Sequence, residues 1–230
     1  MGGSGIAIDE REAASALRWW LEMGVDVATQ EAPRNWFERT SVPPRVEEPE
    51  QPARLPENLE AFREWLSGSQ APLASKSKPV VPSGSEGAEV MLMSEPPTRD
   101  ELASGQPIGG DAAQLMERML TAISMAGQAY SANLACFHSP GARLAPKQLQ
   151  ECASAARRHV ALARPKRLLL LGDAPCRALL GKSLVEARGH IHKVEGVRTV
   201  ATFHPRQLLR RPSDKSLAWK DLLLLTEEAP

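Results

Sequence analysis

Four polar residues that could take part in chemistry lie at or near the ends of short apolar runs. Glu95, Asn133 and His204 each end or follow such a run, and Glu101 lies six residues after Glu95. An imidazole can donate or accept a proton, a carboxylate can hold water, and a carboxamide can both donate and accept hydrogen bonds. Such a set could bind a polar ligand and perform acid–base chemistry on it.

Each of these residues also has an ordinary structural alternative. A His-Pro pair after a strand often forms a turn, and an asparagine is a common turn or cap residue. Glu95 beside two prolines could cap a helix, and Glu101 could simply be exposed. The elements that carry the residues must therefore decide between the two interpretations.

Short apolar runs without clean alternation are typical of parallel strands that are buried on both faces. We predict four of them, at 89–93, 129–134, 167–171 and 197–203. Apolar residues at helical spacing predict helices between and after them, at 115–123, 147–163, 174–180 and 219–225. This alternation predicts an α/β fold, namely a three-layer α/β/α sandwich with a central, mainly parallel four-stranded sheet. Because such sheets bind ligands at the carboxyl ends of their strands, the polar residues there should share one edge.

The first 55 residues differ from the rest in composition and in the spacing of their apolar residues. Apolar spacing predicts a helix over 10–24, and residues 30–55 are rich in Pro, Glu and Arg without any period. We therefore predict an N-terminal helix with a linker over 1–55 and one α/β domain over 56–230, which begins with a helix at 57–67.

Bulk composition excludes several classes of protein. The hydrophobic fraction is 42% of 230 residues, and no apolar run approaches the roughly 20 residues that a membrane span needs. The first residues turn acidic at once and lack the basic start and apolar centre of a signal peptide. We expect a cytoplasmic protein that does not associate with membranes.

The charge is unevenly distributed along the chain. Residues 1–139 hold 11 Lys and Arg against 20 Asp and Glu, a net of −9, whereas residues 140–230 hold 17 against 8, a net of +9. A basic half indicates an anionic partner. The alternative is that each half merely has a solvated charged face.

Three longer motifs surround the candidate residues. The segment F-H-P-x-x-L-L-R occupies 203–210 and is followed by Lys215 and by W-x-D at 219–221. A first motif places Glu, Pro, Gly, Pro and Gly at 95, 97, 105, 107 and 110, and Asn133 opens a second. Taken in the order in which they occur along the chain, the motifs resemble those of the uracil-DNA glycosylases of the iron–sulfur type found in bacteria and archaea. The resemblance covers roughly residues 55–228.

The resemblance implies a DNA-repair hydrolase that flips uracil out of DNA and breaks its glycosidic bond, acting as a monomer on uracil-containing DNA. It makes His204 the donor to uracil O2 and Asn133 the group that reads the base edge, with Glu95 and Glu101 serving water placement and pocket polarity. It makes 205–211 a loop that enters the minor groove, with Leu208 filling the gap left by the base. Phosphate contacts would come from Arg143, Arg206, Arg210 and Arg211, which in most proteins would be plain surface charges. The 1–55 extension, with Trp19 and Trp20, could dock on the core or on another repair protein.

The sequence departs from the family at the base pocket. Ile108 stands where the family has the aromatic residue on which the base stacks, and we expect it to bind uracil by packing against the base face. Ser94 and Thr98 stand where the family has glycines. These changes motivate a rival hypothesis, a DNA-binding relative with little or no catalysis. A generic nucleotide-binding module is a weaker alternative, because the first loop lacks both GxGxxG and a Walker lysine.

The cysteines depart further. Three cysteines without a CxxC pair argue against a disulfide framework and against a self-contained zinc site. Gly68 and Ala71 replace the family's first cluster cysteines, Cys152 lies close to a ligand position, and Phe137 occupies the other, one residue after Cys136. We therefore predict that the 4Fe-4S cluster is absent, that no other cofactor or metal is used, and that Phe137 packs in the cluster's place.

Overall fold

The computed structural model describes residues 10–24, 55–139 and 144–227. The chain divides into two units, Met1–Gln51 and Pro52–Pro230. In the first unit, helix α1 spans Glu10–Glu22, close to the predicted 10–24, and exposes its large apolar side chains, namely Leu17, Trp19, Trp20 and Leu21. No helix among the described residues is long and apolar enough to span a membrane.

The second unit is built on a five-stranded sheet. Its strands are β1 (Val90–Ser94), β2 (Ala129–Asn133), β3 (Arg167–Leu171), β4 (Ile191–Val194) and β5 (Val197–Thr202). Their order is β2-β1-β3-β5-β4, with β4 alone antiparallel to its neighbour. The four predicted strands are therefore confirmed.

The fifth strand, β4, was not predicted. It is a four-residue edge strand with the sequence IHKV, and a two-residue turn at Glu195 and Gly196 connects it to β5. Both turn residues have positive φ, 48° and 79°, which is the geometry of a type I′ hairpin turn. A short, largely exposed strand has no apolar run, so it gives no pattern to detect.

Helices cover both faces of the sheet. They are α2 (Leu59–Leu66), α3 (Arg99–Ser104), α4 (Gly110–Ala122), α5 (Pro146–Ala163), α6 (Asp173–Leu180), α7 (Leu184–Ala187), α8 (Pro205–Arg210) and α9 (Lys215–Thr226), with a 3-10 turn at Pro212–Asp214. The short helices α3, α7 and α8 were not predicted, and 205–211, which we expected to be a loop, is mostly α8. Helix α6 ends at Gly181, which adopts the left-handed conformation.

Alternate residues of the central strands enter opposite layers of the core. Met91 and Met93 pack towards α5 and α6, whereas Val90 and Leu92 pack towards α4 and α9. Side chains alternate along a strand, so an unbroken apolar run serves both faces at once. The observed architecture is the predicted α/β/α sandwich.

The sheet register aligns the strand ends that carry the candidate residues. Ser94 pairs with Asn133 on one side and with Leu171 on the other, and Leu171 pairs with Thr202. The residues that follow β1, β3 and β5 therefore leave the sheet at the same edge as Asn133.

Candidate active site

An open cleft of about 1140 Å³ lies at this edge of the sheet. Its walls come from the segments that follow β1, β2, β3 and β5. Among the lining residues are Glu95, Pro97, His138, Asp173, Arg177, His204, Arg206, Arg210 and Arg211. The cleft therefore combines acidic groups and an imidazole with a rim of arginines.

His204 caps the N-terminus of α8 and is only 3% exposed. Its Nδ1 accepts hydrogen bonds from the backbone N–H of Arg206 at 3.1 Å and from Arg206 Nε at 3.2 Å. Burial, with a smaller effect of the Arg206 guanidinium, lowers the pKa of His204 to about 3, so the ring is neutral at physiological pH. Because Nδ1 is an acceptor, the single ring proton lies on Nε2. This proton is donated to Ser94 Oγ at 2.9 Å.

Glu95 is the first residue after β1 and faces the cleft. Its Oε1 accepts the backbone N–H of Asp173 at 3.2 Å, and its Oε2 lies 3.4 Å from Arg206 Nη2. Partial burial raises the pKa of Glu95, and the Arg206 charge opposes that rise. The carboxylate is thus held at the cleft wall with part of its surface open to solvent.

Glu101 lies deeper, in the first turn of α3, and is 1% exposed. Its Oε2 accepts the backbone N–H of Thr98 at 2.8 Å and the Thr98 hydroxyl at 3.0 Å, and Arg206 Nη1 lies 3.6 Å away. Its Oε1 is 4.0 Å from His204 Nε2 and has no hydrogen-bond partner among the described residues.

Asn133 ends β2 and is 4% exposed. Its Nδ2 donates to the carbonyls of Glu95 at 2.8 Å and of Pro107 at 3.1 Å. Its Oδ1 is buried and has no partner in the part of the chain that the structure describes. Asn133 therefore joins the two ends of segment 95–107 and leaves one acceptor free.

Asn133 and Glu101 do not line the cleft, and two of the other predicted site residues are also buried outside its wall. Ile108 packs in the core beneath α4 with Ala112 and Met116. Leu208 is 1% exposed, whereas its neighbour Leu209 on α8 is 43% exposed. The large apolar side chain that α8 presents to solvent is thus that of Leu209.

The predicted phosphate-binding arginines divide into two groups. Arg206 points inwards to Glu95, Glu101 and His204, whereas Arg210 and Arg211 are exposed on the rim of the cleft. Arg143 lies outside the described residues.

Three residues that the structure places here were not among the predicted site residues. Ser94 contacts the imidazole, His138 Nδ1 lies 2.7 Å from the Pro97 carbonyl, and Arg177 pairs with Asp173 on the rim. The sequence signal for Ser94 was that it replaces a family glycine. For His138 and Arg177 the only signal was that they lie near strand ends.

Several of the residues that stand at the expected cluster-ligand positions, or beside them, lie in a buried apolar set. Phe137 and Cys136 pack with α2 in this set, which is made of Phe62, Leu66, Ala71, Cys136, Phe137 and Ala155. Burial raises the pKa of the Cys136 and Cys152 thiols to about 12, whereas cluster ligands are thiolates. With Gly68 and Ala71 at two ligand positions, the residues present do not fit a four-thiolate cluster.

Comparison with known proteins agrees with this geometry. The family model for the uracil DNA glycosylase superfamily matches residues 81–224. A type-4 uracil-DNA glycosylase of Archaeoglobus fulgidus is 27% identical over 163 residues, which is 65% of this chain and 82% of that protein. A type-4 uracil-DNA glycosylase of Pyrobaculum aerophilum is 25% identical over 181 residues, or 73% of this chain and 92% of that protein. The family match spans every strand of the sheet and every candidate residue of the cleft, and this chain belongs to the uracil-DNA glycosylase superfamily.

Proposed function

We propose that this protein removes uracil from DNA by hydrolysing the N-glycosidic bond, the first step of base excision repair. The observation that carries the proposal is the neutral imidazole of His204, whose Nε2 proton lies at the strand edge shared with Asn133 and Glu95. Family membership and the names of the two relatives support it.

The chemistry requires stabilisation of a leaving uracil anion. A donor that is already positioned stabilises developing charge more than one that must reorganise, and this effect is often the largest in catalysis. We propose that His204 Nε2 donates to uracil O2, in place of its present acceptor Ser94 Oγ.

The attacking water needs a polar group on the opposite side of the sugar. We propose Glu95 for this role, because it faces the cleft and has one oxygen fixed by the Asp173 backbone N–H. The positive charge of the nearby Arg206 guanidinium favours the ionised form of Glu95, and this form can hold water. Glu101 would contribute to the polarity of the pocket.

The rim would bind the DNA backbone. Arg210 and Arg211 are exposed at the cleft, and lysine and arginine contacts to phosphates supply most non-specific DNA affinity. We propose that Leu209, on the outer face of α8, enters the space left by the flipped base.

Substitution of the two exposed arginines tests whether the rim of the cleft binds DNA. Substitution of Arg210 and Arg211 by alanine should weaken binding to a single-stranded oligonucleotide and reduce the salt dependence by about two phosphate contacts. Arg118→Ala, which removes an exposed arginine of α4 outside the cleft lining, is the matched control. An equal loss in both variants would contradict a role specific to the rim.

One observation favours a second candidate, a DNA-binding protein with little catalysis. His204, Asn133 and Ser94 are all buried, and Ser94 Oγ occupies the imidazole donor. Neither Asn133 nor Ser94 lines the cleft, and we propose that a base reaches them only when segment 95–107, which contains α3, moves aside. A protein that failed to open this segment could bind DNA without cleaving the glycosidic bond.

An excision assay separates the two candidates. The protein is incubated with a single-stranded oligonucleotide that contains one uracil and is then treated with alkali, which breaks the strand at an abasic site. We expect scission that falls at least about 100-fold in His204→Ala and is unchanged in His190→Ala, an exposed histidine before β4. Tight binding without scission by the unmodified protein would favour the second candidate.

We also propose that the protein works without an iron–sulfur cluster. Protein purified anaerobically should then be colourless and contain no stoichiometric iron. A brown sample with iron near four per chain would overturn this proposal.

We propose that the protein is a monomer and that the 1–55 extension binds another repair protein through the exposed apolar side chains of α1. Light scattering of the full chain would measure its mass in solution, and the mass of a dimer would contradict the monomer.

A capture experiment tests the extension. Loss of a captured repair protein in Trp19→Ala/Trp20→Ala, but not in Arg18→Ala, would support binding through α1.

A further inference from the structure

All three nitrogens of the Arg206 guanidinium face acceptors of the protein itself. Nε donates to His204 Nδ1 at 3.2 Å, Nη2 lies 3.4 Å from Glu95 Oε2, and Nη1 lies 3.6 Å from Glu101 Oε2. These partners belong to the N-terminus of α8, the segment that follows β1, and α3. One side chain therefore joins three parts of the site.

Arg206 supplies the positive charge for two carboxylates. Within the described residues, it is the only lysine or arginine that lies within 4.0 Å of Glu95 or Glu101. The Glu101 side chain is only 2% exposed, and it otherwise accepts hydrogen bonds from the neutral N–H and hydroxyl of Thr98. A buried carboxylate that loses its counter-charge is strongly destabilised. The electrostatics therefore hold the guanidinium between the two carboxylates.

The imidazole depends less on this guanidinium than the carboxylates do. The backbone N–H of Arg206 also donates to His204 Nδ1, at 3.1 Å, so the ring proton stays on Nε2 without the side chain. Burial, the larger of the two causes that lower the pKa of His204, is also independent of the guanidinium. Loss of the Arg206 side chain should therefore leave the imidazole neutral.

The ionised form of Glu95 depends on the guanidinium directly. Burial raises the pKa of this carboxyl, and the Arg206 charge is the largest opposing influence. The backbone N–H groups of Asp173 and Ala174 also oppose the rise, whereas the Asp173 carboxylate adds to it. Without Arg206, Glu95 would face that negative charge with no described lysine or arginine within 4.0 Å to offset it.

The arginines on the rim of the cleft are placed differently. Arg210 and Arg211 are exposed, and neither has an acidic partner within 4.0 Å in the part of the chain that the structure describes. A phosphate can approach these two without breaking an ion pair. At Arg206 a phosphate would have to displace a carboxylate.

We infer that Arg206 is a positioning residue, whose guanidinium fixes Glu95 beside the imidazole of His204 and does not bind a DNA phosphate. This role rests on the function proposed above, in which Glu95 places the attacking water. It replaces the phosphate contact that the sequence suggested for Arg206. Charge and shape both contribute, since the positive charge favours ionised Glu95 and the planar fork sets the direction of its carboxylate.

Two substitutions separate charge from shape. Arg206→Gln keeps hydrogen-bond donors but removes the charge, whereas Arg206→Lys keeps the charge but loses the planar fork. Single-turnover excision of uracil from a single-stranded oligonucleotide, between about pH 5 and 8.5, measures both variants. At about pH 7 we expect Arg206→Gln to lose at least about tenfold in rate. The midpoint of its acid-side loss should rise by about one to three pH units, because an opposite charge nearby lowers the pKa of a carboxyl by that amount.

The lysine variant should restore the pH profile but not the full rate. We expect Arg206→Lys to keep the midpoint within about half a pH unit of the wild-type value, because the charge remains. Arg118→Gln removes an exposed arginine of α4 outside the cleft lining and should match the wild type in rate and midpoint. A wild-type midpoint in folded Arg206→Gln, or an equally raised midpoint in the lysine variant, would overturn the inference.

The salt dependence of binding distinguishes a positioning role from a phosphate contact. Fluorescence anisotropy with a uracil-free oligonucleotide measures the affinity between about 50 and 200 mM salt. Arg206→Gln should keep the wild-type slope of log affinity against log salt, whereas Arg210→Gln should reduce it by about one phosphate contact. An equal reduction in the two variants would mean that Arg206 binds phosphate, contrary to the inference.

A titration that needs no turnover separates this inference from the proposed function. NMR follows the side-chain carboxyl carbon of Glu95, whose signal is assigned by its loss in Glu95→Gln. Its midpoint should be higher in Arg206→Gln than in the wild type. If the unmodified protein excises no uracil, the proposed function fails, and this midpoint still decides whether Arg206 keeps Glu95 ionised. An unchanged midpoint would refute the inference whether or not the protein is an enzyme.

One measurement uses the unmodified chain and remains if Arg206→Gln does not fold. The Nε–H signals of the arginine side chains are followed by NMR while a uracil-free oligonucleotide is added, and each is assigned by its loss in the corresponding lysine variant. The Arg206 signal should keep its position, and those of Arg210 and Arg211 should move. A shift of the Arg206 signal as large as theirs would contradict the role inferred for it.

Discussion

The hydroxyl of Ser94 is hydrogen-bonded to the ring proton of His204 and so bears directly on the chemistry proposed for this cleft. The family pattern has glycine at this position, whereas here Ser94 Oγ accepts the only ring proton of His204 at 2.9 Å. If a base binds as proposed, the imidazole must exchange Ser94 Oγ for the base oxygen as its acceptor. Ser94 is not an activated nucleophile, because His204 Nδ1 accepts from Arg206 and Nε2 is consequently a donor rather than a base.

Removing the hydroxyl should make the donor available. We expect Ser94→Gly to raise kcat/KM for uracil excision by about two- to tenfold, because a neutral hydrogen bond is worth about 0.5–1.5 kcal/mol. Single-turnover excision measures the effect, with Ser104→Gly on α3 as a control. A fall in rate with the fold retained would show that the hydroxyl assists the reaction.

The pH dependence of the rate follows from the His204 environment. Since burial lowers the pKa of His204 to about 3, the ring stays neutral throughout the range in which an ordinary histidine titrates. We expect excision to be unchanged between about pH 8 and pH 6. A loss of activity with a midpoint near 6.5 would contradict the assignment of a neutral donor.

At the scale of elements, the junction between β3 and α6 sets the position of Glu95. Gly172 has φ of 101°, and a Cβ built there would lie 2.5 Å from Glu95 Oε1. The glycine is needed both for the left-handed backbone and for the close approach of the carboxylate.

Gly172→Ala should therefore displace Glu95 and reduce excision by at least about tenfold, a loss of about 1.4 kcal/mol or more. Gly181→Ala is a matched control, because Gly181 also has positive φ, 67°, but an added Cβ there meets nothing within 4 Å. We expect the control to lose only about 1 kcal/mol of stability and to keep its activity. Equal activity of the two variants would contradict the steric argument.

A second junction links β5 to α9 just before His204. Asp221 on α9 is buried, and its Oδ2 accepts from Thr202 Oγ1 and from Arg188 Nε, both at 2.8 Å. The Arg188 guanidinium in turn lies 4.1 Å from the ring centroid of Phe203, next to His204. The carboxylate therefore anchors the end of β5 from which the imidazole projects.

Asp221→Ala should lower the free energy of unfolding by about 3 kcal/mol, because it leaves Arg188 and Thr202 without their buried acceptor. Glu86→Ala removes the carboxylate of an exposed ion pair with Arg164 and should cost less than about 1 kcal/mol. Urea denaturation measures both. Similar losses would show that the Asp221 network contributes no more than a surface pair.

At the scale of the whole molecule, two buried neutral histidines couple stability to pH. Burial lowers the pKa of His204 and of His159 to about 3, and His159 Nε2 lies 2.7 Å from the Tyr130 hydroxyl in the core. In the unfolded chain both rings take up protons as the pH falls through about 6.5. The folded protein does not, so stability is complete above that pH and is lost progressively below it.

The expected slope is about 1.4 kcal/mol per pH unit for each histidine once the pH is well below 6.5. The raised pKa values of Glu95 and Asp221 act in the opposite sense, because at these groups the folded protein binds more protons than the unfolded chain does. The urea midpoint should therefore fall between about pH 7.5 and 5.5, and about half as steeply in His159→Phe. A midpoint that does not move, or an unchanged slope in the variant, would contradict this account.

Much of the fold was predictable because its signals are local. The four consecutive leucines at 168–171 predicted a buried strand, and β3 spans Arg167–Leu171. Apolar residues at helical spacing over 174–180 predicted the helix that forms as α6. The same locality explains the failures. Strand β4 has no apolar run, and α8 follows a His-Pro pair that resembles a turn in sequence alone.

The sequence by itself determined which polar residues meet at one edge, since parallel strands bring their carboxyl ends together and Glu95, Asn133 and His204 follow such ends. Only the tertiary structure decided which atom of each residue remains available. The donor of His204 is held by Ser94, 110 residues away, and the amide of Asn133 by carbonyls 38 and 26 residues away. Hydrogen bonds between residues so distant in sequence depend on the packed positions of several elements, and no local pattern encodes them.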